Sequence, residues 1–252
     1  MRLLLPSGAN RIVGGPHLVL SRSQLDKLGE RLAFGEPTQE DLEQLDQYRR
    51  SFGPAYEEAT RAITNELGLQ LSGRPQKTTE SIVAKIQRER TSLPRMQDIA
   101  GGRIVVETCA EQDDAVRRIC QRFPESRVTD RRVRPSHGYR AVHVILVVAG
   151  KAVEIQIRTT LQDGWAQLSE KLSDIFGIDV KYGGGPEPAS EMLSLSSERI
   201  AELETLEEQV AFGDRDHPAY EEVMGRLETL KEELASRIEA ALRSLDKIER
   251  TG

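Results

Sequence analysis

The sequence predicts an α+β fold, a mixed sheet with helices packed on it and helical extensions at both ends. Three observations carry this. Residues 21–68 show apolar side chains at helical spacing, with Leu25, Leu28 and Leu32 in one run and Leu42, Leu45 and Tyr48 in the next. The middle of the chain alternates short β-branched runs (Ile104–Val106, Val142–Val148, Ala152–Thr159) with helical stretches. Beyond residue 190 two long amphipathic stripes follow.

Each element has a local reason. Ser21 with Gln24, and Thr38 with Asp41, form capping boxes that start the first two helices. Gly53-Pro54 breaks the chain before a third, marked by Tyr56, Ala59, Ile63 and Leu67. Ser72-Gly73-Arg74-Pro75 reads as a loop, and residues 78–91 read as a helix with Ile82, Val83 and Ile86 inward. Ile104–Val106 is a strand, residues carrying Ala115, Val116, Ile119 and Cys120 a helix, and 126–133 a further strand. Ala149-Gly150-Lys151 turns a hairpin between the next two strands, and a helix over about 160–176 carries Trp165, Leu168 and Leu172. The order α-β-α-β-β-β-α belongs to a mixed sheet covered by helices. Residues 181–190, KYGGGPEPAS, read as a flexible connector. The final stripe runs from Val223 through Leu234 and Ile238 to Ile248, and either self-packing on residues 21–68 or subunit association would bury it. The expected organisation is thus 1–70 N-terminal helices, 71–180 a mixed-sheet core, and 181–252 C-terminal helices.

Composition narrows the function classes. With 252 residues, 30% charged and 4% aromatic, the chain is neither disordered nor fibrous. No apolar run reaches the ~18 residues of a membrane span, and the opening Met1–Gly8 is too short for a signal-peptide core. Cys109 and Cys120 offer no disulfide framework, and with histidines only at 17, 137, 143 and 217 the chain argues against a structural zinc site. A cytoplasmic protein without a membrane partner is the expectation. The net charge of −6 is uneven. Residues 74–158 hold 17 Lys+Arg against 10 Asp+Glu, a local +7, while the rest holds 18 against 31, a local −13. A basic middle in an acidic protein suits nucleotide phosphates or RNA.

Three segments concentrate the chemistry: 72–85, 96–106, and 137–143 with 153–159. Asp98 stands just before a strand, where a carboxylate is exposed at a sheet edge. Glu154, Gln156 and Arg158 alternate with Ile155 and Ile157, so they share one sheet face. An Asp and a Glu from two strands suit Mg²⁺, which takes few carboxylates plus phosphate oxygens. Lys77, Ser81 and Lys85 recur at i, i+4, i+8 on one helical face that could grip a polyphosphate.

Together these segments resemble the RelA/SpoT-type (p)ppGpp synthetase family, in particular its short, single-function members. The resemblance rests on Asp98-Ile99-Ala100-Gly101-Gly102-Arg103, Gly138-Tyr139-Arg140-Ala141-Val142-His143 and Glu154-Ile155-Gln156-Ile157-Arg158-Thr159, in this order, and covers about 72–176. It implies a nucleotidyltransferase-like fold and transfer of the β,γ-pyrophosphate of ATP to the 3′-hydroxyl of GDP or GTP. It further implies that Asp98 and Glu154 hold Mg²⁺, with Glu154 helping to deprotonate the attacking hydroxyl. Arg74, Lys77, Ser81, Lys85 and Arg103 would hold ATP. His137, Tyr139, His143, Gln156 and Arg158 would form the acceptor side, with the Tyr139 ring stacking on the base and its hydroxyl secondary. A homo-oligomer through the C-terminal helices, most simply a tetramer, also follows from it. The chain departs from the family pattern at Pro75, at His137 in place of Asn, and at Ser169-Glu170-Lys171. These departures leave the acceptor open between guanine nucleotides, adenine nucleotides and the 3′ end of tRNA. A reading of another class is an inactive nucleotide-binding regulatory module.

Overall fold

A computed structural model describes residues 20–211, 213 and 217–249. His17 and the side chain of Ile248 lie outside the described residues. The chain forms two compact units, one of residues 20–51 with 78–96 and the other of residues 52–77 with 97 onward.

The first unit is helical. Helix α1 (Arg22–Phe34) and α2 (Gln39–Arg50) open on the two expected capping boxes, with Ser21 and Gln24, and Thr38 and Asp41, bonding reciprocally. Leu28 and Leu45, together with Ile82 on helix α4 (Thr79–Glu89), are fully buried, which is why the 3.6-residue period was legible. The α4 N-cap is Thr78, whose extended backbone starts the helix after Lys77.

The second unit holds a five-stranded sheet: β1 (Ser72–Arg74), β2 (Ala100–Val106), β3 (Arg127–Asp130), β4 (Val142–Val148) and β5 (Lys151–Thr159). Their order is β1-β2-β5-β4-β3, with β2 and β5 parallel and the other pairs antiparallel. The expected α+β class, a mixed sheet with flanking helices, is what the chain adopts. Val144, Leu146, Val153, Ile155 and Ile157 line one sheet face and are buried with Ala55, Ala59 and Ile63 of α3 (Gly53–Arg61) and the π-turn after it, and with Ala115 and Ile119 of α5 (Cys109–Arg122). Cys120 packs at the margin of that core, as a small hydrophobe would.

Two segments differ from the sequence reading. Ser72–Arg74 is an edge strand, not a loop: Gly73 faces Gly102, and a Cβ on Gly73 would stand 2.4 Å from the Gly102 Cα. The paired glycines that hide the strand from propensity are what let it approach. Residues 181–190 are more ordered than a flexible connector. A 3₁₀ turn spans Ile178–Tyr182, and α7 (Glu187–Ala211) begins inside the stretch, with the Pro186 carbonyl accepting from the amides of Ala189 and Ser190. Pro188 falls in the first helical turn, where its missing N–H costs nothing.

Helix α6 (Thr160–Phe176) follows β5 directly, capped by Thr159 and Gln162. Helices α7 and α8 (Tyr220–Glu249) close a second core on it, burying Trp165, Leu168, Leu193, Ile200, Leu227 and Ile238. The centre of the C-terminal stripe is therefore covered by α6 and α7, while Val223 and Leu230 stay exposed.

Candidate active site

The face of the sheet opposite the α3–α5 core carries a cleft of about 530 Å³. Parallel register sets its rows, with Arg103 opposite Gln156 and Gly101 opposite Glu154. Gly101 keeps those strands close, since a Cβ there would meet the Glu154 carbonyl at 2.6 Å. Of the expected site residues, Arg74, Lys77, Asp98, Arg103, Glu154, Gln156 and Arg158 line the cleft together. The alternation that put Glu154, Gln156 and Arg158 on one face is present, with Val153, Ile155 and Ile157 buried between them.

Two carboxylates and their cations organise this cleft. Lys77 Nζ stands 2.6 Å from Asp98 Oδ2, both side chains largely shielded, and the Lys77 amide donates to the Ile99 carbonyl at 2.7 Å. Glu154 belongs to a closed ring of hydrogen bonds. Its Oε1 lies 2.9 Å from His143 Nδ1, and His143 Nε2 lies 2.9 Å from the Tyr139 hydroxyl. Arg158 donates to that hydroxyl at 3.1 Å and to Gln156 Oε1 at 2.6 Å, and Gln156 Nε2 donates back to Glu154 Oε2 at 2.9 Å. An ionised carboxylate only accepts, so the His143 Nδ1 that meets Glu154 carries a proton. Burial pushes the Glu154 carboxyl up, but the His143 hydrogen bond and charge and the Gln156 amide hold it below the ordinary glutamate value. It is therefore ionised at neutral pH, ready to accept a proton. Burial pushes the Tyr139 phenol up despite Arg158 beside it, so it stays protonated.

Asp163 is the residue the sequence reading missed. It is buried in the first turn of α6, where its Oδ1 accepts from Arg158 at 2.8 Å and from Arg103 at 3.3 Å. Gln167 donates to its other oxygen at 2.7 Å. An acid in the opening turn of a helix just after an Arg-bearing strand is a signal the sequence carries.

Other expected residues fall elsewhere. Lys77 precedes the α4 N-cap, so it does not share a helical face with Ser81 and Lys85 as the i, i+4, i+8 spacing suggested. Ser81 and Lys85 belong to the helical unit, where Thr78 bonds the Ser81 hydroxyl and Lys85 approaches Glu89 at 3.9 Å. Tyr139 and His143 are not among the lining residues and join the cleft through the ring. The Tyr139 hydroxyl is not secondary: it holds two partners of that ring, and its aromatic face has Arg158 5.3 Å away. His137 lines a different cavity, with Gly183, Glu187 and Ser190. Among the described residues no cluster of three metal-ligating side chains occurs. Of the three carboxylate residues that line the cleft, Asp98, Glu154 and Glu170, the first two are the pair expected to hold Mg²⁺, a hard oxygen set that fits that ion completed by phosphate oxygens.

Comparison with known proteins decides the family. Residues 73–180 match the region found in RelA / SpoT proteins. This stretch is a RelA/SpoT-family domain. The chain is also 40% identical over 115 residues to uncharacterized proteins of Mycobacterium tuberculosis and Mycobacterium bovis, an overlap covering 44% of this chain and 42% of each relative. It thus spans less than half the length of those relatives. The fold is shared with the small alarmone synthetase 1 from Bacillus subtilis, at a TM-score of 0.51 and 23% identity over 66% of this chain and 96% of that one. The same enzyme bound to its product pppGpp superposes with TM-score 0.51 and 24% identity, over 67% and 96%. Among the described residues no helix is long and apolar enough to cross a membrane.

Proposed function

We propose that the RelA/SpoT-family domain transfers the β,γ-pyrophosphate of ATP to the 3′-hydroxyl of GDP or GTP, making (p)ppGpp. The observation that carries this is one cleft holding Asp98, Glu154, Lys77, Arg103 and Arg158, with Glu154 held ionised. The acceptor oxygen forms a bond to the β-phosphorus, the bond from that phosphorus to the bridging oxygen of AMP breaks, and AMP leaves. Glu154 takes the hydroxyl proton. His143 Nδ1–H fixes one of its oxygens and Gln156 the other, so the carboxylate is oriented before substrate arrives. Lys77, Arg74 and Arg103 offset the donor phosphate charge, while Arg158, held by Asp163, faces the acceptor side. Asp98 and Glu154 would hold Mg²⁺, which when bound neutralises charge on the transferred group. The proposal extends to Ser81 and Lys85 as further ATP contacts and to His137 on the acceptor side. It also includes a homo-oligomer, most simply a tetramer, using the apolar side chains Leu195, Leu206, Val223 and Leu230 that α7 and α8 leave exposed. Light scattering reads that assembly directly.

The deciding experiment incubates the protein with γ-labelled ATP, Mg²⁺ and, separately, GDP, GTP, AMP, ATP or tRNA. Label is expected on GDP or GTP. Label on an adenine nucleotide or tRNA alone would keep the chemistry and replace the acceptor, and no label on any acceptor would sink the enzyme reading.

A further inference from the structure

The loop that carries Tyr139 does not hold itself. His137 and Gly138 both have positive φ, 52° and 86°, and the segment is closed on itself only by the Ser136–Tyr139 bridge. Left-handed backbone at a non-glycine residue persists when its surroundings fix it. Here the surroundings are Tyr182, whose ring meets that of His137 edge-on at 6.4 Å, and α7, which holds Gly138 and Arg140 from some 60 residues further along the chain. Arg140, directly after Tyr139, donates to Glu204 Oε2 through Nε at 2.9 Å and Nη2 at 2.5 Å. Both side chains are only 11% exposed. The Ser197 hydroxyl donates to the Gly138 carbonyl at 2.7 Å. Trp165 donates its indole N–H to the Leu193 carbonyl at 2.8 Å, and its ring lies 6.4 Å from that of Tyr139. Space there is closed: a Cβ on Gly138 would stand 2.9 Å from Trp165 and 3.2 Å from Ser197. Glu204 is also tied to the sheet rim, because its Oε1 accepts from Gln162, the residue that completes the cap of α6.

We infer that Arg140 and Glu204 are positioning residues that clamp the Tyr139 loop to α7, making the first C-terminal helix a working part of the acceptor side. Two guanidinium N–H groups converge on one Glu204 oxygen while Gln162 holds the other, and this shielded, doubly anchored carboxylate fixes Arg140 as a lone surface pair does not. The ring Glu154–His143–Tyr139–Arg158 closes only if Tyr139 reaches it, so the clamp sets the geometry around Glu154 from outside the cleft. The acceptor role of Tyr139 rests on the function proposed above; the clamp itself does not.

Two readouts separate these statements. Amide hydrogen exchange of residues 136–141 in the substrate-free full chain tests the clamp. Glu204→Gln and Arg140→Lys should each speed exchange there by about tenfold or more, with the β4 and β5 amides unchanged. Fluorescence of the single tryptophan, Trp165, should become more accessible to quencher in the same variants. Unchanged loop exchange in both variants overturns the inference. Kinetics then test the consequence: KM for the acceptor should rise about tenfold while KM for ATP stays within about twofold. An equal rise in both would mean a general loss of structure and would also overturn it. Should Glu204→Gln fail to fold, Ser197→Ala removes a single hydrogen bond and must still raise loop exchange. If the parent protein labels no acceptor, the proposed function fails while the exchange result still decides the clamp.

Discussion

The ion pairs of the two compact units differ in how far they reach along the chain. In the helical unit the caps and the strongest ion pair are close in sequence, Ser21 with Gln24, Thr38 with Asp41, and Arg31 with Asp41 ten residues apart at 2.6 Å, while two neutral-partner bonds, Arg49 to Thr79 and Gln87 to the Ala33 carbonyl, reach across 30 and 54 residues. In the sheet unit local pairs such as Gln156 with Glu154 are joined by distant ion pairs. Arg103 meets Asp163 across 60 residues and Arg140 meets Glu204 across 64. The first kind of pairing ends helices and forms as soon as the helix does. The second exists only when strands, α6 and α7 have assembled, and it is where the ionised carboxylate and the cleft arginines gather. Local polar pairs shape elements; non-local ones shape the site.

Breaking the non-local set should cost most. Asp98→Ala and Glu154→Gln each remove a carboxylate proposed to hold Mg²⁺, and Glu154→Gln also removes the proton acceptor, so pyrophosphate transfer should fall on the order of 10²–10³-fold or more. Circular dichroism should show the fold unchanged, because Val153, Ile155 and Ile157 keep β5 in its core. Transfer within about threefold of the parent in either variant would remove that residue from the site.

A smaller effect sharpens the role of the ring. Tyr139→Phe keeps the aromatic face but leaves His143 Nε2 and one Arg158 N–H without the hydroxyl. Leaving buried polar groups unpaired costs about 1–3 kcal/mol. Chemical denaturation should therefore show Tyr139→Phe less stable by that order, with acceptor KM raised as well. A variant as stable as the parent would mean that water replaces the hydroxyl and that only the aromatic face matters.

The same contrast explains what could be read from sequence. The starts of α1 and α2 were legible, because a cap and its partner sit three residues apart and Leu28 and Leu45 repeat at helical spacing. The face of β5 was legible because strand alternation is strict. Asp98 and Glu154 were found because both flank or lie on apolar strands. What escaped depends on tertiary contact. β1 escaped because Gly73 and Gly102 carry no side chain to signal a strand, and Asp163 because its arginine partners are named only by the packing of α6 on the sheet. Lys77 was assigned to the wrong element by a spacing argument that Thr78, as N-cap, cuts off. Arg140 stood inside a recognised motif without a role, since Glu204 lies on a helix outside it.

The smallest expected effect belongs to the helical unit and has a pH signature. Arg31 bonds Asp41 through Nε at 2.9 Å and Nη2 at 2.6 Å, while the Thr38 amide and hydroxyl each bond the other carboxylate oxygen at 3.0 Å. The Arg31 hydrogen bond, then the Thr38 amide, hold the Asp41 carboxyl down at about 2. An unfolded aspartate titrates near ~3.9. Between these values the unfolded chain carries a proton on Asp41 that the native chain does not, so stability rises with pH across that window. The stabilisation is complete above about pH 4 and is lost as pH falls through about 2. Asp41→Asn should thus lower stability at neutral pH by about 1 kcal/mol, the order of one cap bond plus a partly exposed ion pair. Urea titrations of parent and variant at a series of pH values should show their difference shrinking steadily below pH 4. A difference that stays constant down to about pH 2 would mean that shape, not charge, is what Asp41 contributes to the start of α2.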